Sequence, residues 1–140
     1  MFGWFKKQPP PLAEPVKDDG PPGEADAVAR IKQLCWLGGM SAETVALDKS
    51  EKLPPEERNT YEHDRYARLR MEAVQLTDTL TDGFYRGTAL HFLVDLCMKA
   101  DDVEIARAFF KHIEIDFIRE KIIGTYPQIA HPSLSRIIGE

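Results

Sequence analysis

Residues 84–100, FYRGTALHFLVDLCMKA, constrain the fold more than any other stretch of the chain. At about 100° per residue, Ala89, Leu90, Phe92, Leu93, Val94, Leu96, Cys97 and Met98 cover about two thirds of a helical circumference. Thr88, His91, Asp95 and Lys99 make the one polar stripe. Each large apolar side chain buried here would contribute ~1.5–3 kcal/mol before the opposing chain entropy is subtracted. Only neighbours on several sides can cover so wide a face, so the pattern predicts a central helix wrapped by the rest of the chain.

The material to wrap it is present. With 140 residues, 43% of them apolar, the chain can bury a core without disulfides or metal. Cys35 and Cys97 both lie in apolar helical patterns and read as small core residues of a protein in a reducing, cytoplasmic setting. No apolar run approaches the roughly 20 residues of a membrane span, and the N-terminus lacks the apolar region and cleavage site of a secretory signal. The 23 acidic and 18 basic residues leave a net charge of −5, which argues against nucleic acid as a partner. On the helix predicted between residues 55 and 81, Arg58, Arg65, Arg68 and Arg70 alternate with Glu56, Glu57, Glu62, Asp64 and Glu72, so no positive stripe survives.

Residues 1–22 read as a disordered, extended tether, because Pro9, Pro10, Pro11, Pro15, Pro21 and Pro22 remove backbone donors and fix φ. At its free end Phe2, Trp4 and Phe5 stand beside Lys6 and Lys7, an aromatic density unusual for a disordered segment. These five residues are a candidate hook for a protein groove or a lipid headgroup region, set against the plainer reading of a frayed end or of aromatics folded back on their own domain. No P-x-x-P spacing occurs in the proline run, so an SH3-type ligand is not indicated.

From residue 23 to the C-terminus the pattern predicts one all-α domain, a compact antiparallel multi-helix bundle of about five to seven helices. A first helix is expected over 24–37, carrying Val28, Ile31, Leu34 and Cys35 on one side and stopped by Gly38-Gly39. Ser41 suits the N-cap of a short second helix to about Asp48, with Met40 and Val45 as a hydrophobic staple. Pro54-Pro55-Glu56-Glu57 reads as the start of a long helix over 55–81, its first half polar and solvated, its second half carrying Tyr66, Leu69, Ala73, Leu76 and Leu80. Asp101 and Glu104 resemble a capping box before Val103, Ala106, Phe109, Phe110 and Ile113. Residues 112–118 fit both strand and helix; with no second strand to pair, helix is expected. A last short helix opens at His131-Pro132 with Leu134, Ile137 and Ile138.

Chemistry is thinly signalled. His63, His91, His112 and His131 are scattered without metal-ligand spacing, so no metal or cofactor is expected. Residues 39–43, GMSAE, lack the second glycine of a nucleophile elbow, and no glycine loop suited to phosphate occurs. His91 and Asp95 stand one turn apart on the polar stripe and could share a proton, although an ordinary i,i+4 pair is the plainer reading. Arg86 falls within the apolar arc near Asp78 and Asp82, where a guanidinium needs a partner or water. That cluster would either latch two helices or bind an anion.

The function expected from these observations is a non-catalytic helical interaction or regulatory adaptor module with a protein partner. One alternative is a small helical enzyme or ligand-binding protein with a polar pocket near Arg86, His91 and Asp95, although a small-molecule partner is not the first expectation. The other is a membrane-peripheral protein held at a lipid surface through residues 1–7.

Overall fold

A computed structural model of the chain describes residues 23–130. Within them six α-helices form: α1 (Glu24–Ser50), α2 (Thr60–Thr77), α3 (Gly83–Lys99), α4 (Val103–Phe110), α5 (Asp116–Thr125) and α6 (Pro127–Ala130). A 3₁₀ turn at Pro55–Glu57 precedes α2, and the described residues contain no strand. The expected N-terminal tether, its aromatic hook and the helix around Leu134, Ile137 and Ile138 lie outside the described residues.

The broad apolar stretch over 84–100 forms α3, and it is the centre of the bundle. Asp82 caps it, its carboxylate accepting the N–H groups of Phe84 at 2.9 Å and Tyr85 at 3.0 Å. Ala89, Leu90, Leu93, Val94, Leu96 and Cys97 are all buried, and α1, α2, α4 and α5 each pack against this helix. The contacts set the directions of the chain. Asp48 meets His63 while Leu37 meets Arg65, so α1 and α2 run antiparallel. Glu24 accepts from the Thr81 and Asp82 N–H groups at one end of α1, and Lys49 donates to the Asp101 carbonyl at the other. With α2 antiparallel to both, α1 and α3 therefore lie side by side and parallel.

The expected break at Gly38-Gly39 does not occur, and α1 continues to Ser50. Its core stripe runs in phase through the glycine pair, with Ile31, Leu34, Cys35, Gly38 and Ala42 all buried. A glycine inside a helix costs only ~1 kcal/mol, and the second half of α1 sets against the glycine pair the packing of Ala42 and Val45 and the bonds of Ser41 and Asp48 to the segment 59–65. Gly38 presents bare backbone to α2 and α3: a Cβ there would lie 3.4 Å from Leu96 Cδ1 and 3.6 Å from Leu69 Cβ. The helix ends instead at Ser50, and in the turn beyond it Lys52 takes φ 53° while the Lys52 and Leu53 N–H groups bond back to the Lys49 and Asp48 carbonyls. Ser41 is no N-cap; it is buried, donates to Glu62 and accepts from Arg65 Nη1 at 3.0 Å.

Other boundaries shift for local reasons. The expected helix over 55–81 is replaced by the 3₁₀ turn and by α2, which begins where the Asn59 side chain accepts the Glu62 N–H at 3.2 Å. Of the polar stretch expected to be solvated, residues 56–61 and Asp64 are exposed, but Glu62, His63 and Arg65 turn to α1 and bond to it, His63 Nε2 lying 2.9 Å from Asp48 Oδ2. Asp101 is not the cap of α4. It adopts φ 61° as the left-handed residue ending α3, with the Asp101 and Asp102 N–H groups bonded to the Met98 and Cys97 carbonyls. The neighbouring Asp102 carboxylate is held by Tyr66 Oη at 2.6 Å and Arg70 Nη1 at 3.2 Å, joining α2 to the turn before α4. Burial and this bond drive the Tyr66 phenol far above its ordinary range. Residues 112–115 are turn and extended chain rather than helix, and α5 starts at Asp116. Ile113 and Ile118 are buried while His112 and Phe117 are exposed, because this segment lies on α3 at Gly87, where a Cβ would come within 3.1 Å of Ile118 Cδ1.

Candidate functional site

On α1 the residues opposite the core stripe are Ala29, Lys32, Gln33, Trp36, Met40 and Leu47. Solvent is the ordinary environment for that face, yet Trp36 is 77% and Met40 78% exposed, with Leu47 further along at 55%. The three stand on one face of the helix, at positions 36, 40 and 47. Between this face and α3 lies a cleft of about 450 Å³, walled by Cys35, Trp36, Phe92 and Leu96. It closes where α3 meets the glycine pair, since a Cβ at Gly39 would lie 3.4 Å from Lys99 Nζ.

Two ammonium groups flank the cleft. Lys32 Nζ sits 5.9 Å from the Phe92 ring centroid, and Lys99 lines the far end. Asp95, the acid of the lining, is already engaged: Tyr126 Oη donates to its Oδ1 at 2.8 Å. Burial, then the Asp95 bond, pushes the Tyr126 phenol up to about 12. The cleft thus offers an apolar floor and a positive rim. Its thiol is inert, because burial pushes Cys35 up to about 12, and Cys97 behind it to about 11.

The sequence candidates do not converge on one point. His91 Nε2 lies 3.7 Å from Asp95 Oδ2, a loose i,i+4 pair, and the partner that actually fixes Asp95 is Tyr126 from the end of α5. Arg86 stands nine residues before Asp95, about 180° around a helix at 100° per residue. It lines a separate cleft, of about 300 Å³, between α2, α3 and α4, together with Asp78 and His112. Asp82 is occupied in capping α3. The expected Arg86 latch does not form, since no carboxylate of the described residues lies within ion-pair distance of its guanidinium. Among the described residues no group of three or more His, Cys, Asp or Glu side chains gathers as metal ligands, and no helix is long and apolar enough to cross a membrane.

Trp36 is the residue that sequence reasoning missed. Its direction on α1, about 140° from Ile31 and 160° from Leu34, was available from the helical period alone. Ending the helix at Leu37 hides the signal, because Trp36 then looks like part of a terminus and Met40 like a staple.

Fold and surface together define an all-α helical bundle with an aromatic-walled cleft between two parallel helices that no other helix of the described residues covers. No protein-family model, curated protein or solved structure matches the chain.

Proposed function

We propose that this chain is a non-catalytic interaction module that receives an amphipathic, acid-flanked segment of a protein partner in the cleft between α1 and α3. The observation that carries the reading is the pairing of Trp36 and Met40, both more than three-quarters exposed, with an apolar cleft rimmed by Lys32 and Lys99. A helix laid against such a groove buries its apolar face on Trp36, Phe92 and Leu96 and sets its carboxylates near the two lysines. Trp36 is then the anchor, a residue type whose truncation at interface centres typically costs about 2 kcal/mol or more, about 30-fold in affinity. The lysines, being at the rim, act mainly on association rate and partner choice.

The test is a displayed library of short peptides selected against the chain and counter-selected against Trp36→Ala. Recovered sequences should carry apolar residues at helical spacing with Asp or Glu flanks. Their affinity should fall at least tenfold on Trp36→Ala, and doubling Lys32→Glu with Lys99→Glu should turn the flanking preference to Lys and Arg. Binders that keep their affinity in Trp36→Ala, or flanks indifferent to the charge reversal, would sink the reading. A membrane-peripheral role would rest on Phe2, Trp4 and Phe5, outside the described residues, and flotation with anionic liposomes before and after removal of residues 1–7 decides it.

A further inference from the structure

The second cleft leads to a separate inference, independent of the α1/α3 surface. Arg65, Arg70, Arg86, Arg107 and Arg119 are the partly buried arginines of the described residues. Four of them are bonded: Arg65 to the Leu37 carbonyl, Arg70 to Asp102, Arg107 to Glu104 and the Gln128 carbonyl, and Arg119 to the Ile113 carbonyl. The Arg86 guanidinium has no such acceptor among the described residues. Arg86 is a half-buried residue whose N–H fork faces solvent and meets no oxygen of the described residues, so the fork is available to an anion, and carboxylate is the shape it matches.

What surrounds Arg86 narrows the ligand. The cleft of about 300 Å³ has Leu90 and Leu93 as its floor, exposed by only 4% and 0%, with Val74 and Phe109 as walls. The Thr77 hydroxyl proton is already donated, to the Ala73 carbonyl at 2.8 Å. His112 adds a second nitrogen-bearing side chain at the rim, and Asp78 is the one acid of the lining. A phosphate would set a more highly charged and hydrated group on hydrocarbon, and Asp78 at the edge would repel it more strongly than it repels a singly charged carboxylate. A single carboxylate attached to a short apolar chain satisfies both halves, its head on Arg86 and its tail against the accessible side chains of Val74, Ala108 and Phe109. We infer that the cleft between α2, α3 and α4 is a binding site for a small monocarboxylate with an aliphatic body, held by Arg86. Its size is at the lower limit of ligand pockets, which favours a free medium-chain acid over a larger molecule.

Octanoate, butyrate and octanol are the probes, titrated into the isotope-labelled full chain and followed by methyl and amide shifts. Octanoate should shift Val74, Ala108 and Phe109, and each methylene removed towards butyrate should weaken binding about fourfold. Octanol, with the same tail and no carboxylate, should bind about 10- to 100-fold more weakly than octanoate. Arg86→Gln should bring octanoate to the level of octanol without lowering the unfolding temperature, since Arg86 makes no ion pair to lose among the described residues. If that variant does not fold, the octanoate-to-octanol ratio on the native chain still decides. Equal affinities for the two probes, shifts confined to Trp36 and Phe92, or no binding at millimolar octanoate would overturn the inference.

Discussion

Replacing Gly38 by alanine should stabilise this chain, by about 0.5–1 kcal/mol. Gly23 is the one glycine with positive φ among the described residues, so Gly38 sits in ordinary helical backbone where glycine is the poorer choice. The added methyl would lie 3.4 Å from Leu96 Cδ1 and 3.6 Å from Leu69 Cβ and Cδ1, ordinary contact that adds packing and displaces nothing. For a domain of this size the gain corresponds to about 2–6 °C in unfolding temperature. Valine at the same position reverses the sign. Its two γ-carbons reach about 1.5 Å further into Leu69 and Leu96, and overpacking of that kind costs ~1–3 kcal/mol. Urea unfolding followed by far-UV circular dichroism measures both variants against the native chain. Were the glycine pair a helix stop, Gly38 would hold the left-handed turn and alanine would cost ~1 kcal/mol instead. A destabilised Gly38→Ala would therefore refute the continuous α1 and, with it, the placement of Trp36 and Met40 on one outward face.

The C-terminal end of α1 supplies two more tests. Lys52 holds φ 53° where α1 stops, so Lys52→Gly should raise stability by about 0.5–1 kcal/mol in the same urea assay, and an unchanged or lower value would contradict the turn described there. The Asp48 carboxyl is held below its ordinary 3.8 first by the Asn59 N–H at 3.1 Å and then by His63 at 2.9 Å. A depressed carboxyl stabilises the fold above that ordinary value and loses its contribution as pH falls through the folded value. The stability gap between the native chain and Asp48→Asn should thus be full at neutral pH and narrow below about pH 4, and a gap independent of pH would show that the carboxylate charge is not what joins α1 to α2.

Helical periodicity carried a good part of this molecule. The breadth of the apolar arc over 84–100 announced α3 as the central rod, and both cysteines lie buried as their patterns implied. Periodicity failed where two physical effects oppose each other. At Gly38-Gly39 a local stop signal worked against a core stripe that continues through Ala42 to Val45 and against the bonds that tie Ser41 and Asp48 to α2, and the helix kept going. At Asp101 and Asp102 the sequence offered one aspartate as a cap, while Tyr66 and Arg70, more than thirty residues earlier, claimed the other. No local rule contains that competition.

The linear pattern determined which side of each helix is apolar, because that depends only on residue type and the helical turn. Which apolar side chains remain uncovered, and which charged groups find partners, depends on how many neighbours arrive and from where. Trp36 is left open because no described helix reaches the outward face of α1, and Asp95 is tied because Tyr126 comes back to it from the end of α5. Arg86 pairs with no carboxylate of the described residues: Asp82 caps α3, and Asp78 lines the same cleft without coming within ion-pair distance. Those outcomes are properties of three-dimensional packing, in which one group's partner is decided by every other group's competing choice.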